Sequence, residues 1–130
     1  MAFLAKFDLD GKEYDVHTCH YELHQQIDAN GKPSSRTRGG TIHIQIESTS
    51  STSLFEWMCD NHQRKNGSIR FIKDTDMATL KQLDFTDGYL VNYGENFDFA
   101  DSSPMIQSLV ISSREIKMGN GEHVNEWPED

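Results

Sequence analysis

Two-residue alternation of apolar and polar side chains recurs along this chain, and a pattern of that period cannot build a helical bundle. Thr41 to Glu47 shows it most cleanly, with Ile42, Ile44 and Ile46 on one side and Thr41, His43, Gln45 and Glu47 on the other. Successive side chains of a strand point to opposite faces, so this segment predicts a strand with one buried and one wet face. Phe3, Ala5, Phe7 and Leu9 alternate in the same way with Leu4, Lys6 and Asp8. Asp10-Gly11 then supplies a turn, and Tyr14, Val16 and the residues to Leu23 predict the return strand of a hairpin. Further strands are expected over Ile69 to Lys73, Thr79 to Phe85, Tyr89 to Tyr93 and Met105 to Lys117. Turn signals separate them at Asp74-Thr75-Asp76, Asp87-Gly88, Asn96 to Pro104 and Gly119-Asn120-Gly121.

One segment breaks the pattern. Ser53-Leu54-Phe55-Glu56 matches a capping box, in which a hydroxyl and a carboxylate three residues on satisfy exposed helical amides. A helix is expected from about Leu54 to Lys65. Leu54, Phe55, Met58 and His62 share a face with Trp57 beside them, Asp60, Gln63, Arg64 and Lys65 face water, and Asn66-Gly67 ends it.

From Gln25 to Gly40 the chain carries turn formers and little that is apolar except Ile27 and Ala29, which predicts a long surface loop over about residues 25–41. Loops of this length inside compact domains are uncommon and often functional. No linker, repeat or low-complexity block divides the 130 residues, so residues 1–130 are expected to form a single domain. Many short strands with one helix indicate a mainly β fold: an antiparallel two-sheet β-barrel with one flanking α-helix.

Composition bears on the shape of that barrel. Apolar residues make up 35% of the chain and aromatics 10%, and mean hydropathy is -0.68. The patterned apolar runs argue against disorder. A small core with a large wet surface remains, as in a barrel with long loops or a wall with water on both sides.

Charge excludes some partners. Twelve Lys and Arg against 21 Asp and Glu give a net charge of -9, a field that repels phosphate backbones and anionic lipid, so neither nucleic acid nor membrane insertion is expected. The layout is uneven. Lys32, Arg36 and Arg38 lie between Gly31 and Gly40 without an acid, whereas Asp84, Asp87, Glu95, Asp98 and Asp101 occur without a base, and Glu122, Glu126, Glu129 and Asp130 make an acidic tail. A basic loop on an acidic body fits self-association, in which the loop of one copy meets acids of another. Composition alone favours the simpler reading, a loop that is merely kept soluble.

Candidate chemistry is sparse. His17, Cys19, His20, Glu22 and His24 are close in sequence, but strand alternation puts His20, Glu22 and His24 on one face and His17 and Cys19 on the other, so no metal site is expected. Cys59 has His62 three residues on, yet it falls mid-helix and reads as a small buried hydrophobe. Neither a nucleophile elbow nor a phosphate-binding glycine pattern is present, so no catalytic residue and no cofactor is expected. Cys19 and Cys59 are too few for a disulfide framework, which suits a reducing compartment. Met1 to Asp10 lacks the basic and apolar regions of a signal peptide, so any export is expected to proceed without a cleaved leader.

Four strings then carry a specific resemblance: MAFLAKFDLDGKEYDV, GKPSSRTRGGTI, TSLFEWMCDNHQRKNGSIRFIK and HVNEWPED. Together they resemble the haemolysin-coregulated protein (Hcp, TssD) family, the tube proteins of type VI secretion systems, in its Bacteroidetes-type branch, from Ala2 to about Trp127. The resemblance implies an Hcp-like, phage tail-tube-like barrel whose copies form homohexameric rings that stack into the inner tube of a contractile injection machine. It implies as partners the spike protein, the contractile sheath and baseplate components, with small effector proteins carried in the ring lumen. Such a subunit is cytoplasmic before firing and then secreted to the extracellular space or a target cell. The family's projecting loop matches Gln26 to Thr41, which makes Asp28, Gly31, Lys32, Arg36, Arg38, Gly39 and Gly40 the candidate contact residues. Asp84, Asp87, Glu95, Asp98 and Asp101 are the candidate acidic counter-surface. The alternative reading is a stand-alone small-molecule-binding β-barrel.

Overall fold

In the computed structural model, which describes residues 3–73, 78–100 and 105–127, the alternating segments become seven strands, with one short helix beside them. These are β1 (Phe3–Leu9), β2 (Lys12–Tyr21), β3 (Thr41–Glu47), α1 (Ser53–Cys59), β4 (Lys65–Lys73), β5 (Thr79–Asn96), β6 (Ile106–Met118) and β7 (Gly121–Val124). Hydrogen bonding runs in the order β3-β2-β1-β4-β5-β6-β7, and a further antiparallel pairing of β3 with β6 closes the first six strands into a barrel. Closure removes the exposed edges that an open sheet of this length would present.

Two strands serve both sheets of the barrel. β2 pairs with β1 through Lys12 to Asp15 and with β3 through Val16 to Tyr21. β6 pairs with β3 from Ile106 to Ser112 and with β7 from Glu115 to Met118, along the same edge. The β1–β2 turn follows from its residues: Asp10 and Gly11 both take positive φ, at 53° and 76°, which is what a two-residue hairpin connection demands.

The inward faces fill the barrel. Phe7, Tyr14, Ile42, Ile44, Ile46, Ile69, Leu83, Phe85, Leu109, Ile111 and Ile116 form one buried cluster, joined by Leu54 and Trp57 from α1. Phe7 stacks on Phe85 with ring centroids 6.2 Å apart. Gly67 and Gly88 leave room for the Phe85 ring, since a Cβ at either would approach its carbons to 2.8 and 2.9 Å.

Several local expectations are corrected. The helix does not reach Lys65; it ends at Cys59, where the Asp60 N–H donates to the Trp57 carbonyl, and Lys65, Asn66 and Gly67 belong to β4. Ser53 is its first residue rather than its cap, and Thr52, in the cap position, makes no side-chain bond to the helical amides; its hydroxyl donates instead to Glu56 at 2.6 Å. Leu54 and Trp57 are buried, whereas Phe55 is exposed and edge-on to Tyr93. Cys59 is an exposed residue at the helix terminus, not a buried mid-helix one.

Asp87-Gly88 is a bend inside one continuous strand rather than a turn between two. Asp87 takes a φ of 54°, and β5 keeps pairing with β6 on both sides of it. In β2 a bulge between Val16 and Thr18 leaves His17 and Thr18 both exposed and turns Cys19 and Tyr21 toward the core. His17 and Cys19 therefore do not share a face, and the strand stops at Tyr21 short of Leu23. The expected turn at Asp74-Thr75-Asp76 lies outside the described residues, as do Asp101, Glu129 and Asp130.

Candidate functional site: the projecting arm and its root

Between β2 and β3 the chain leaves the barrel as an arm, residues 22–40, that is itself a loosely paired hairpin. His24 and Arg38 exchange backbone hydrogen bonds at 2.9 and 2.6 Å, and Ile27 bridges Pro33 farther out. The tip is an Asx turn: the Asp28 carboxylate accepts from the Asn30 and Lys32 amides at 2.8 and 3.0 Å, and Gly31 supplies the positive φ of 83°. The arm buries almost nothing of its own; Ile27 is 68% exposed.

The root is built differently. Gly40 has φ 97°, and its carbonyl accepts from both the amide and the hydroxyl of Ser113, at 2.8 and 2.6 Å. Asn125 closes the junction: its side-chain amide donates to the Gly39 carbonyl at 2.9 Å and the Ser113 carbonyl at 3.1 Å, while its backbone N–H donates to Arg114. A Cβ on Gly40 would lie 2.6 Å from the Ser113 carbonyl oxygen, and one on Gly39 would lie 2.9 Å from the Glu22 carbonyl oxygen. The two glycines are thus required by close backbone approach, where β3, β6 and the segment after β7 meet.

Of the arm's cations, Arg36 pairs with Glu126 at 2.8 Å, both side chains about four-fifths exposed at 81% and 77%. Exposed pairs contribute about 0–1 kcal/mol, so Glu126 can be exchanged for another carboxylate at little cost. Lys32 and Arg38 are exposed and make no ion pair among the described residues.

The candidate acids are not one patch. Asp84 accepts from Gln82 at 2.7 Å, and Asp87 is held by Arg114 at 2.7 Å. Glu95, eleven residues beyond Asp84 on β5, accepts from Ser48 at 2.8 Å, and Asp98 accepts from the Ala100 amide in the β5–β6 loop. Glu95 and Asp98 belong to one end of the β5–β6 ribbon and Asp84 and Asp87 to its other half.

The outer surfaces of the two sheets differ in chemistry. On β1, β2 and β4, Arg70 binds Asp8 at 2.6 Å and Glu13 at 2.7 Å, and Lys6 pairs with Asp15. Across β2, β3 and β6 runs an uncharged ladder instead, from Thr18 to Gln45 at 3.1 Å and Gln45 to Ser108 at 3.4 Å, with His20 beside His43. Among the described residues no three His, Cys, Asp or Glu side chains are grouped to hold a metal ion, and no helix is long and apolar enough to cross a membrane.

The cysteines differ in environment. Burial pushes the Cys19 thiol up to about 11, whereas Cys59 is exposed. Because the neutral thiol is what the fold favours, that contribution is present below about pH 9 and is lost as pH rises through about 11. At pH 8 a maleimide should therefore label wild type once, and Cys59→Ser should abolish nearly all labelling; rapid labelling of Cys19 at pH 8 would contradict the buried placement.

Sequence reasoning found the arm and its glycines. It did not find Asn125 or Ser113 as its anchors, although the HVNEW string contains the first of them.

The family model for hemolysin coregulated protein Hcp (TssD) matches residues 1–128. The chain belongs to the Hcp family. Among solved structures it is similar to Hcp1 from Flavobacterium johnsoniae, at 50% identity and a TM-score of 0.89 over 94% of this chain and 99% of that one. It shares its fold with Hcp1 from Salmonella typhimurium, at 14% identity and TM-score 0.74, covering 91% and 86% of the two chains. A chain in the sheath-tube complex of an extracellular contractile injection system, PVC, is 13% identical with TM-score 0.60, covering 88% and 87%. A search of curated proteins returns no match. Hcp is a structural tube protein rather than an enzyme, and this chain is accordingly a tube-type subunit of a type VI secretion system.

Proposed function

We propose that six copies of this Hcp form a ring, that rings stack into the inner tube, and that the arm joins one ring to the next. The observation that carries this is the arm itself: a hairpin that buries almost nothing in its own barrel, bearing the cations Lys32 and Arg38, which make no ion pair among the described residues, on a chain of net charge -9. An extended segment of that kind loses its ordering entropy for no return unless a partner covers it. The acids it meets are drawn from Asp84, Asp87, Glu95, Asp98 and Asp101 of another copy, and Arg36 leaves Glu126 to join them.

The tube is cytoplasmic before firing and is expelled with the spike by the sheath and baseplate. The outer face of β2, β3 and β6 carries the Thr18–Gln45–Ser108 ladder, with Glu47 beside His17 at 3.8 Å, and this mostly uncharged wall suits a lumen that carries small effectors.

Charge reversal at Arg36→Glu and Arg38→Glu tests the role of the arm. Each exposed pair contributes only ~0.2–1 kcal/mol, but the effect is repeated around the ring, so stacking should fall by more than roughly tenfold. Light scattering should still report rings, and electron microscopy should show them unstacked. Undiminished stacks in the double variant would overturn the role of the arm, and a wild type that stays monomeric at high concentration would overturn the ring and favour a stand-alone barrel.

A further inference from the structure

The β5–β6 ribbon carries an apolar knob at one end and an apolar hollow at the other. In the β5–β6 loop, Phe97 is 71% and Phe99 93% exposed, with Glu95 and Asp98 around them. Beneath the arm, at the β6–β7 hairpin, lies an open groove of about 570 Å³. Leu83 and Ile116 form its buried floor, and Tyr21, Leu23 and Met118 its walls. A cavity of about 150 Å³ accepts a benzene ring, so this one has room for both phenylalanines.

The knob and groove of one chain cannot meet. They flank β6, whose 13 residues span about 40 Å at the usual rise of a strand. Complementary surfaces at distant points of the same molecule make a head-to-tail contact, which propagates as an open stack. Charge agrees in sign: the knob is flanked by carboxylates, while Lys117 on the groove and Arg38 beside Thr37 on its rim make no ion pair among the described residues. Of the acids on the rim, Glu22 lies 3.7 Å from the His20 ring and, like Glu122, weakens the complementarity.

We infer that Phe97 and Phe99 of one copy seat in the Tyr21–Leu23–Leu83–Ile116–Met118 groove of a copy in the adjacent ring, forming the apolar part of the stacking contact. This rests on the stacked-ring reading above and supplies an apolar contact beside the arm's ion pairs. Stacking through this contact should persist at salt concentrations that screen the arm.

Phe97→Ser with Phe99→Ser tests it at a loop where the fold itself does not depend on either ring. The expected result is intact rings, an unchanged unfolding midpoint and stacking reduced at least tenfold, with Glu122→Gln lengthening stacks. A second measurement uses Phe99→Cys with Leu23→Cys in a Cys59→Ser background and a short bismaleimide. Cross-linked ladders that continue beyond six subunits support the contact between rings. Ladders that stop at six, or rings lost in the serine variant, place the contact within a ring and overturn the inference. Stacks that form normally without the two phenylalanines overturn it as well, while leaving the ring reading intact. A wild type that forms no rings overturns that reading instead.

Discussion

Gly40→Val is expected to lower the unfolding free energy by about 4 kcal/mol, a fall in Tm of roughly 15 °C for a chain of this size. The cause is local and twofold. At φ 97° a β-branched residue is strained, and its Cβ would stand 2.6 Å from the Ser113 carbonyl and 2.5 Å from the Asn125 side chain. Relief requires pushing β3 away from β6, which breaks the Ser113 bonds to the Gly40 carbonyl and releases the Asn125 clamp. Gly31→Ala is the control. It also has a positive φ, at 83°, but nothing within 4 Å of its Cβ, so it should cost only about 1 kcal/mol. Calorimetry that gave the two variants equal midpoints would mean the root is not tightly packed.

The second large effect is expected at Trp57. Its side chain is 1% exposed, its indole N–H donates to the Gln63 carbonyl at 2.9 Å, and Lys65 lies 5.7 Å over its ring. Trp57→Ala should cost about 3–5 kcal/mol through the cavity and the lost bond to the Gln63 carbonyl. Phe55→Ala, at a site 56% exposed, should cost about 1 kcal/mol or less. Denaturant unfolding separates the cases, and similar losses at both positions would show that α1 is not docked through Trp57.

Much of the barrel could be read from alternation because each strand buries one face. Ile42, Ile44 and Ile46 are all buried, and their polar neighbours from Thr41 to Gln45 are all exposed. What escaped was decided by pairing across strands. Asp87-Gly88 is as good a turn as a bend; the continuous partner β6 makes it a bend. Asn66-Gly67 is as good a helix stop as a strand segment; pairing with β1 and β5 puts Gly67 in β4. The β2 bulge shifts the phase after Val16 and has no signature of its own in the run from His17 to Tyr21.

The same distinction holds at the site. The arm was legible because turn formers cluster over sixteen residues, and its basic character because no acid lies between Gly31 and Gly40. The root and the groove were not. Ser113 and Asn125 meet Gly40 and Gly39 from distant parts of the chain, and the groove is assembled from β2, β5, β6 and β7 with three arm residues, Glu22, Leu23 and Thr37. Local periodicity carries no information about such meetings.

Those separations also set the order in which the molecule acquires its parts. The Ser113 bond to Gly40 spans 73 residues and the Asn125 bond to Gly39 spans 86. At a synthesis rate of 5–20 residues per second, β2 and the arm leave the ribosome several seconds before the groups that fix their geometry. During that interval the arm is held at both ends by the β2–β3 pairing, Tyr21 with Ile42, but lacks the root bonds from Ser113 and Asn125. A chain still being made can therefore form the arm's hairpin but not its locked root. The junction of Gly39 and Gly40 with Ser113 and Asn125 is thus the last part of the barrel wall to be completed.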